Sequence, residues 1–254
     1  MSIRRDISDG VLVVSIDRPE RRNAIDRATS EAIADAMDQL DADDSLRVGI
    51  LTGAGGNFST GMDLKAFLAG ERVELPGRGL AGIIKTPPEK PLIAAVEGYA
   101  LAGGFEIALA CDLIVASHSA RFGLPEARRG LIAGSGGLIR LPERMPRQIA
   151  MECAMTGRMI EADEALRWGL VNRLVETGEA VAGALALAAE ICLSAPAALI
   201  ASKRIVARAG RWPEETLWQR QDELLEDIIN SRDAREGAAA FAEKRDPVWS
   251  TGSD

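Results

Sequence analysis

The chain has 254 residues and a mass of 27.0 kDa, with 47% hydrophobic and 27% charged residues, enough apolar material for a sizeable core and far from a disordered or fibrous composition. Its formal net charge of −8 and sequence pI near 5.0 argue against a broad nucleic-acid footprint, which needs a basic surface, but leave room for a local basic pocket holding one small phosphorylated ligand. The three cysteines, Cys111, Cys153 and Cys192, lie far apart with no C-x-x-C spacing and no neighbouring histidine, the pattern of reduced thiols in a cytoplasmic protein.

The opening Met-Ser-Ile-Arg-Arg-Asp-Ile is charged and lacks the apolar centre of a signal peptide. No later stretch reaches the length of a membrane span, so no membrane partner is expected. Val11 to Ile16 is a short β-branched run opened by Asp9-Gly10 and closed by Arg18-Pro19, which reads as a strand. Asp26 to Leu40 carries Ala, Ile and Met at helical spacing behind an Asp26 cap. Arg47 to Thr52 is a second strand, broken by Gly53-Ala54-Gly55-Gly56. Lys90 to Val96 and Cys111 to Ala116 are a third and fourth, with a helix over Ala102 to Ala110 between them. Strands that are apolar throughout and alternate with helices imply an α/β protein whose sheet is covered on both faces.

Beyond about Glu143 the pattern turns helical: Glu161 to Ala165, the alanine-rich Gly178 to Leu193, Pro196 to Ala209 and Glu214 to Ile229. We expect a catalytic core over 1–195 and a helical extension over 196–254. The extension's apolar stripes exceed what so small a unit can bury, which predicts docking on another subunit.

Three segments carry chemistry. In Tyr99 to Cys111, Glu106 is the only charge between Glu97 and Asp112, set among apolar residues on every turn. Such a site disfavours the ionised form and raises the pKa of the carboxyl. Gly103 and Gly104, at the helix start, leave free N–H groups that a ligand oxygen can approach. The competing reading is a core glutamate bonded to backbone or to an arginine. The second segment, Asn57 to Lys65, is a Gly-containing turn with another set of exposed donors, or an ordinary connection. A dinucleotide-binding reading of Gly53-Ala54-Gly55 needs a glycine at position 58, which is Phe58. The third segment places Glu126 after Pro125, beside Arg128 and Arg129, where either an aimed acid or a surface ion pair fits. Ser135 is not in a nucleophile elbow, since position 133 is alanine, and the one histidine, His118, sits in a polar loop. No cluster has zinc-ligand spacing, so no metal is expected.

Taken together, Asn57 to Lys65, Glu97 to Cys111 and Phe122 to Gly137 resemble the crotonase (enoyl-CoA hydratase/isomerase) superfamily in order and spacing. The resemblance runs nearly end to end, with Arg18-Pro19-Glu20-Arg21-Arg22-Asn23-Ala24, Gly169-Leu170-Val171 and Phe241-Ala242-Glu243-Lys244-Arg245 also in register. It implies a spiral of ββα units with a C-terminal helical trimerisation region, assembling as a homo-trimer or hexamer. It also implies an oxyanion hole from the backbone of Met62 and Gly103, with Glu106 and Glu126 as the two acids of an enoyl-CoA hydratase. Arg22, Ala24, Asp63, Leu64 and the adjoining Lys65 match the region that holds the adenine end of the acyl-CoA thioester. Phe241 and Lys244 match the C-terminal contact, where a lysine reaches the CoA phosphates. No cofactor is implied beyond the coenzyme A of the substrate itself.

The sequence departs from the common pattern at Met62, where alanine is frequent, at Ala133, where proline is common, and over Phe67 to Pro88, which matches no part of it. The activity this implies is hydration of trans-2-enoyl-CoA. The alternatives are an enoyl-CoA isomerase or a carnitinyl-CoA-like dehydratase. From a different class come a non-catalytic acyl-CoA-binding protein, which two retained acids disfavour, and an RNA-binding relative, which the net charge disfavours.

Overall fold

The computed structural model describes residues 2–250. β1 (Ile3–Ser8) and β2 (Val11–Ile16) form an antiparallel hairpin across Asp9-Gly10. The sequence reading passed over β1 because five of its six residues are exposed; as the edge strand it buries only Ile3, and its charges keep that edge from pairing with another chain. α1 (Arg27–Ala42) follows, capped as expected by the Asp26 side chain, which accepts from the Thr29 N–H at 2.8 Å. β3 (Val48–Gly53), α2 (Leu64–Leu68), β4 (Leu92–Val96), β5 (Tyr99–Leu101) and α3 (Gly103–Ala110) lead to β6 (Leu113–Ser117) and β7 (Arg121–Gly123). Two helices absent from the sequence reading come next, α4 (Gly137–Arg144) and α5 (Arg147–Thr156), then β8 (Ile160–Glu161), α6 (Ala162–Arg167), β9 (Arg173–Val175) and α7 (Ala180–Ile191). The chain finishes with α8 (Pro196–Arg208), α9 (Glu214–Ile229) and α10 (Arg232–Glu243).

The main sheet runs β1-β2-β3-β4-β6-β9, parallel after the first hairpin, and a smaller sheet runs β5-β7-β8. Successive turns of the chain therefore lay one strand in each sheet, β4 then β5, β6 then β7, which is the crotonase-type spiral. Its main sheet is covered on both faces. Leu92, Ala94 and Val96 of β4 enter the core shared with α1 and α3, while Ile93 and Ala95 point the other way, with Val48, Ile50 and Val115, onto Ala180, Ala184, Leu187 and Ala188 of α7. That double burial is why these strands read as unbroken apolar runs. By contrast, α8 and α9 contain no buried residue, and Val206, Trp218, Leu225 and Ile229 stand exposed along them. No single helix among the described residues is long and apolar enough to cross a membrane.

Candidate active site

The two glycine-bearing segments of the sequence meet because of strand register. Ser59 forms a parallel bridge with Ala100, its N–H donating to the Tyr99 carbonyl at 3.0 Å and its carbonyl accepting from the Leu101 N–H at 3.0 Å. Three residues further along each segment are Met62 and Gly103. A Cβ added at Gly103 would lie 3.4 Å from the Met62 nitrogen and 2.5 Å from Leu80 Cδ2, and one at Gly61 would lie 2.6 Å from the Gly103 nitrogen. The absence of side chains at 61 and 103 is what permits the approach. Among the described residues neither the Met62 nor the Gly103 N–H is used by another group. Just before them Ala102 takes φ 51° and ψ −129°, a conformation that is costly for any residue with a Cβ. Two free donors therefore lie close together at the start of α3, where the helix dipole also favours negative charge.

One turn into α3, Glu106 is only 3% exposed. Its Oε1 accepts from the Ser135 N–H at 2.7 Å and the Gly137 N–H at 2.8 Å. Glycine at 137 makes room for it, since a Cβ there would press on Glu106 Cγ at 3.0 Å. Burial pushes the carboxyl up to about 7, against the pull of the Gly137 N–H; the Glu126 carboxylate raises it further, the Ser135 N–H opposes and Glu74 adds to the rise. Desolvation wins over the two hydrogen bonds, as the apolar sequence around Glu106 predicts. The backbone-bonded alternative is therefore met in part: Glu106 has backbone partners and a perturbed titration at once.

Glu126 opens a 3-10 turn, Glu126–Arg129, directly after Pro125 and three residues beyond β7, whose Gly123 pairs with Leu101 of β5. No ion pair to Arg128 or Arg129 forms; Arg128 bonds instead to the Thr156 carbonyl. Glu126 Oε2 is buried without a partner, and burial raises the carboxyl above its usual range. A cavity of about 500 Å³ adjoins it, walled by Leu124, Leu131, Leu138, Leu141, Met151 and Met155. The lining beside the acid is mostly apolar. The structure thus brings Met62, Gly103, Glu106 and Glu126 together.

The other expected contacts are placed as follows. Arg22 lies in a left-handed turn with its guanidinium 6.0 Å from the Tyr99 ring centroid, and its carbonyl accepts from Thr60. The Ala24 carbonyl accepts from the Arg18 guanidinium. The Asp63 side chain is buried in a local network: it pairs with Arg18 at 3.0 Å and caps α2 through the Lys65 N–H at 3.0 Å. Burial would raise this carboxyl, but the Arg18 hydrogen bond and the Ala66 and Lys65 N–H groups outweigh it and hold it low. Leu64 and Lys65 are exposed on α2. Phe241 and Lys244 close α10 with Phe241 88% exposed, on the helical extension that packs through α9. Sequence reasoning did not single out Asn23, fully buried, whose Nδ2 donates to the Ala54 and Asn57 carbonyls at 2.8 and 2.7 Å and ties the Arg18–Ala24 turn to the Met62 loop. It also passed over Ser135 and Gly137 as holders of Glu106, although the Gly134-Ser135-Gly136-Gly137 run signals a loop with exposed donors. The unplaced stretch 67–88 borders the site: Leu80 abuts Gly103, while Ser135 Oγ donates to Glu74 Oε1 at 3.3 Å.

Paired backbone donors beside two desolvated carboxyls define a site for stabilising an oxyanion and moving a proton nearby, the equipment of acyl-thioester chemistry. The family model for enoyl-CoA hydratase/isomerase matches residues 6–252, and the chain belongs to this crotonase family. It is similar over 248 residues, 94% of each chain, to the carnitinyl-CoA dehydratase of Salmonella typhimurium strain LT2, at 46% identity. Among solved structures it resembles an enoyl-CoA hydratase from Mycobacterium marinum at 53% identity and TM-score 0.97, covering 99% of each chain. A carnitinyl-CoA hydratase from Mycobacterium avium is similar at 44% identity and TM-score 0.80, again over 99% of each. The chain is accordingly a hydratase/dehydratase-type lyase acting on a coenzyme A thioester.

Proposed function

We propose that the protein adds water across the double bond of a trans-2-enoyl-CoA to give the 3-hydroxyacyl-CoA. The observation that carries this is the pair of desolvated acids beside the Met62 and Gly103 donors. In this reading the thioester oxygen lies between the two N–H groups, which strengthen their hold as enolate charge develops. Glu106 takes a proton from water as its oxygen bonds to the β-carbon, and Glu126 delivers a proton to the α-carbon. A base titrating near 7 is matched to neutral pH. Electrons balance without an external acceptor, so the step calls for neither a redox cofactor nor a metal. CoA would be held by Arg22, Ala24, the Asp63-Leu64-Lys65 turn and, from the C-terminal helices, Phe241 and Lys244. Residues 196–254 would form the oligomerisation region, with the exposed apolar faces of α8 and α9 covered in a trimer or hexamer.

The test is a scan of crotonyl-, longer enoyl-, 3-enoyl- and carnitinyl-CoA for loss or gain of the conjugated enoyl absorbance. Loss with crotonyl- or longer 2-enoyl-CoA is expected; no change with any of them ends the proposal. One second reading is favoured by a specific observation, the carnitinyl-CoA dehydratase name of relatives 46% identical. Dehydration runs the same chemistry backwards, and absorbance gained from carnitinyl-CoA alone would move the assignment there.

A further inference from the structure

Resting on the role given to Glu106, we infer that Glu74 is a positioning residue for it, acting through Ser135. Glu74 lies on the segment between α2 and β4, and its Oε1 accepts from the Ser135 hydroxyl at 3.3 Å. The same residue donates its backbone N–H to Glu106 Oε1 at 2.7 Å, and two residues on Gly137 donates the second at 2.8 Å. The loop that clamps Glu106 is thus tethered from outside by Glu74. No ion pair among the described residues uses Glu74, while Arg27 pairs with Glu31 and Arg78 with Asp38. The segment is itself anchored, since the Ala81 N–H donates to Ser30 Oγ at 3.1 Å and Leu80 abuts Gly103.

Glu74 also faces Glu106 electrostatically. The charged groups around Glu106 are Glu126 from the 3-10 turn, Glu74 from this segment and Arg140 from α4, whose guanidinium is bound to the Ile84 carbonyl. The two acids favour the protonated form and the arginine opposes them. Glu74 therefore does two separable things: its oxygen holds the loop and its charge raises the pH at which Glu106 ionises.

Three variants separate these. Glu74→Gln keeps an oxygen for the Ser135 hydroxyl and removes the charge. It should leave the plateau kcat within about twofold while moving the acid limb of kcat/KM to lower pH by roughly a few tenths of a unit, a shift that shrinks as ionic strength rises. Glu74→Ala and Ser135→Ala both cut the tether and should each lower plateau kcat by roughly two- to tenfold, the double variant being no worse than either. Carbon-13 titration of the Glu106 carboxyl in substrate-free enzyme, assigned by its loss in Glu106→Gln, should show the same downward move in Glu74→Gln. An unmoved Glu106 titration, or additive losses in the double variant, overturns the inference. Because the carboxyl titration needs no turnover, failure of the role given to Glu106, seen as full activity in Glu106→Gln, is distinguishable from failure of this one.

Discussion

β4 and α8 are made of much the same residues, Leu-Ile-Ala-Ala-Val in one and a Pro-Ala-Ala-Leu-Ile-Ala start in the other, yet every residue of β4 is buried and none of α8 is. Composition does not decide burial; the surfaces available within one chain do. β4 is sandwiched between α7 and the main core, so the spiral completes itself. α8 and α9 pack on each other, α9 also on α10, and their apolar stripes end at solvent. The chemistry proposed above belongs to the self-sufficient region, and the assembly proposed with it to the other.

The sharpest way to break that division is at the acids. Glu106→Gln and Glu126→Gln should each cut hydration by ~10²–10⁴-fold, with circular dichroism unchanged, and the double variant should be little worse. Steady-state assays on crotonyl-CoA decide it, and full activity in either single variant would return that glutamate to a structural role. Next in size, Ile93→Ala should cost about 2–5 kcal/mol in urea unfolding by opening a cavity between β4 and α7. Trp218→Ala, on exposed α9, should change the stability of the dissociated chain by about 0.5 kcal/mol or less yet shift light scattering toward smaller species. Equal unfolding costs at the two sites would erase the contrast.

A third effect depends on pH. The folded Glu106 carboxyl titrates at about 7 against 4.5 for an unperturbed glutamate, so between these values the folded state binds more protons than the unfolded one, and stability falls as pH rises. Glu106→Gln should therefore be more stable than the parent by about 3 kcal/mol at pH 8, the gap narrowing through this window and closing below pH 4.5. Urea midpoints at several pH values measure it, and a constant gap would contradict the burial of that charge. A smaller gain is expected at Ala102. Glycine relieves the positive φ, so Ala102→Gly should raise stability by about 1 kcal/mol, read from thermal melts.

What the sequence shows of this molecule follows the length over which a pattern repeats. β2, β3, β4 and β6 are apolar over five or six residues and α1 carries its own cap, so each is visible from local pattern. β5 and β7 are three residues long, β8 two, and they exist through pairing with distant segments, which no local period reveals. β1 was hidden by its charges and α4 by an internal proline, Pro142. At the site, Glu106 announced itself as a lone charge in an apolar helix. Its two N–H partners lie about thirty residues on, in a loop whose backbone donors have no side-chain signature, and Glu74 sits in a stretch without periodicity.

The Ser59–Ala100 bridge described above has a consequence for how the site tolerates change. Met62 and Gly103 lie three residues beyond the bridge on their respective segments, so their meeting depends on equal counts rather than on what Met62 carries. A library scanning this loop should accept many residues at 62, because the donor is backbone. Deleting or inserting one residue between 59 and 62 slips that donor along the chain and turns it off the shared spot. The site is written in spacing, and drift by substitution leaves it intact where a shift by one residue does not.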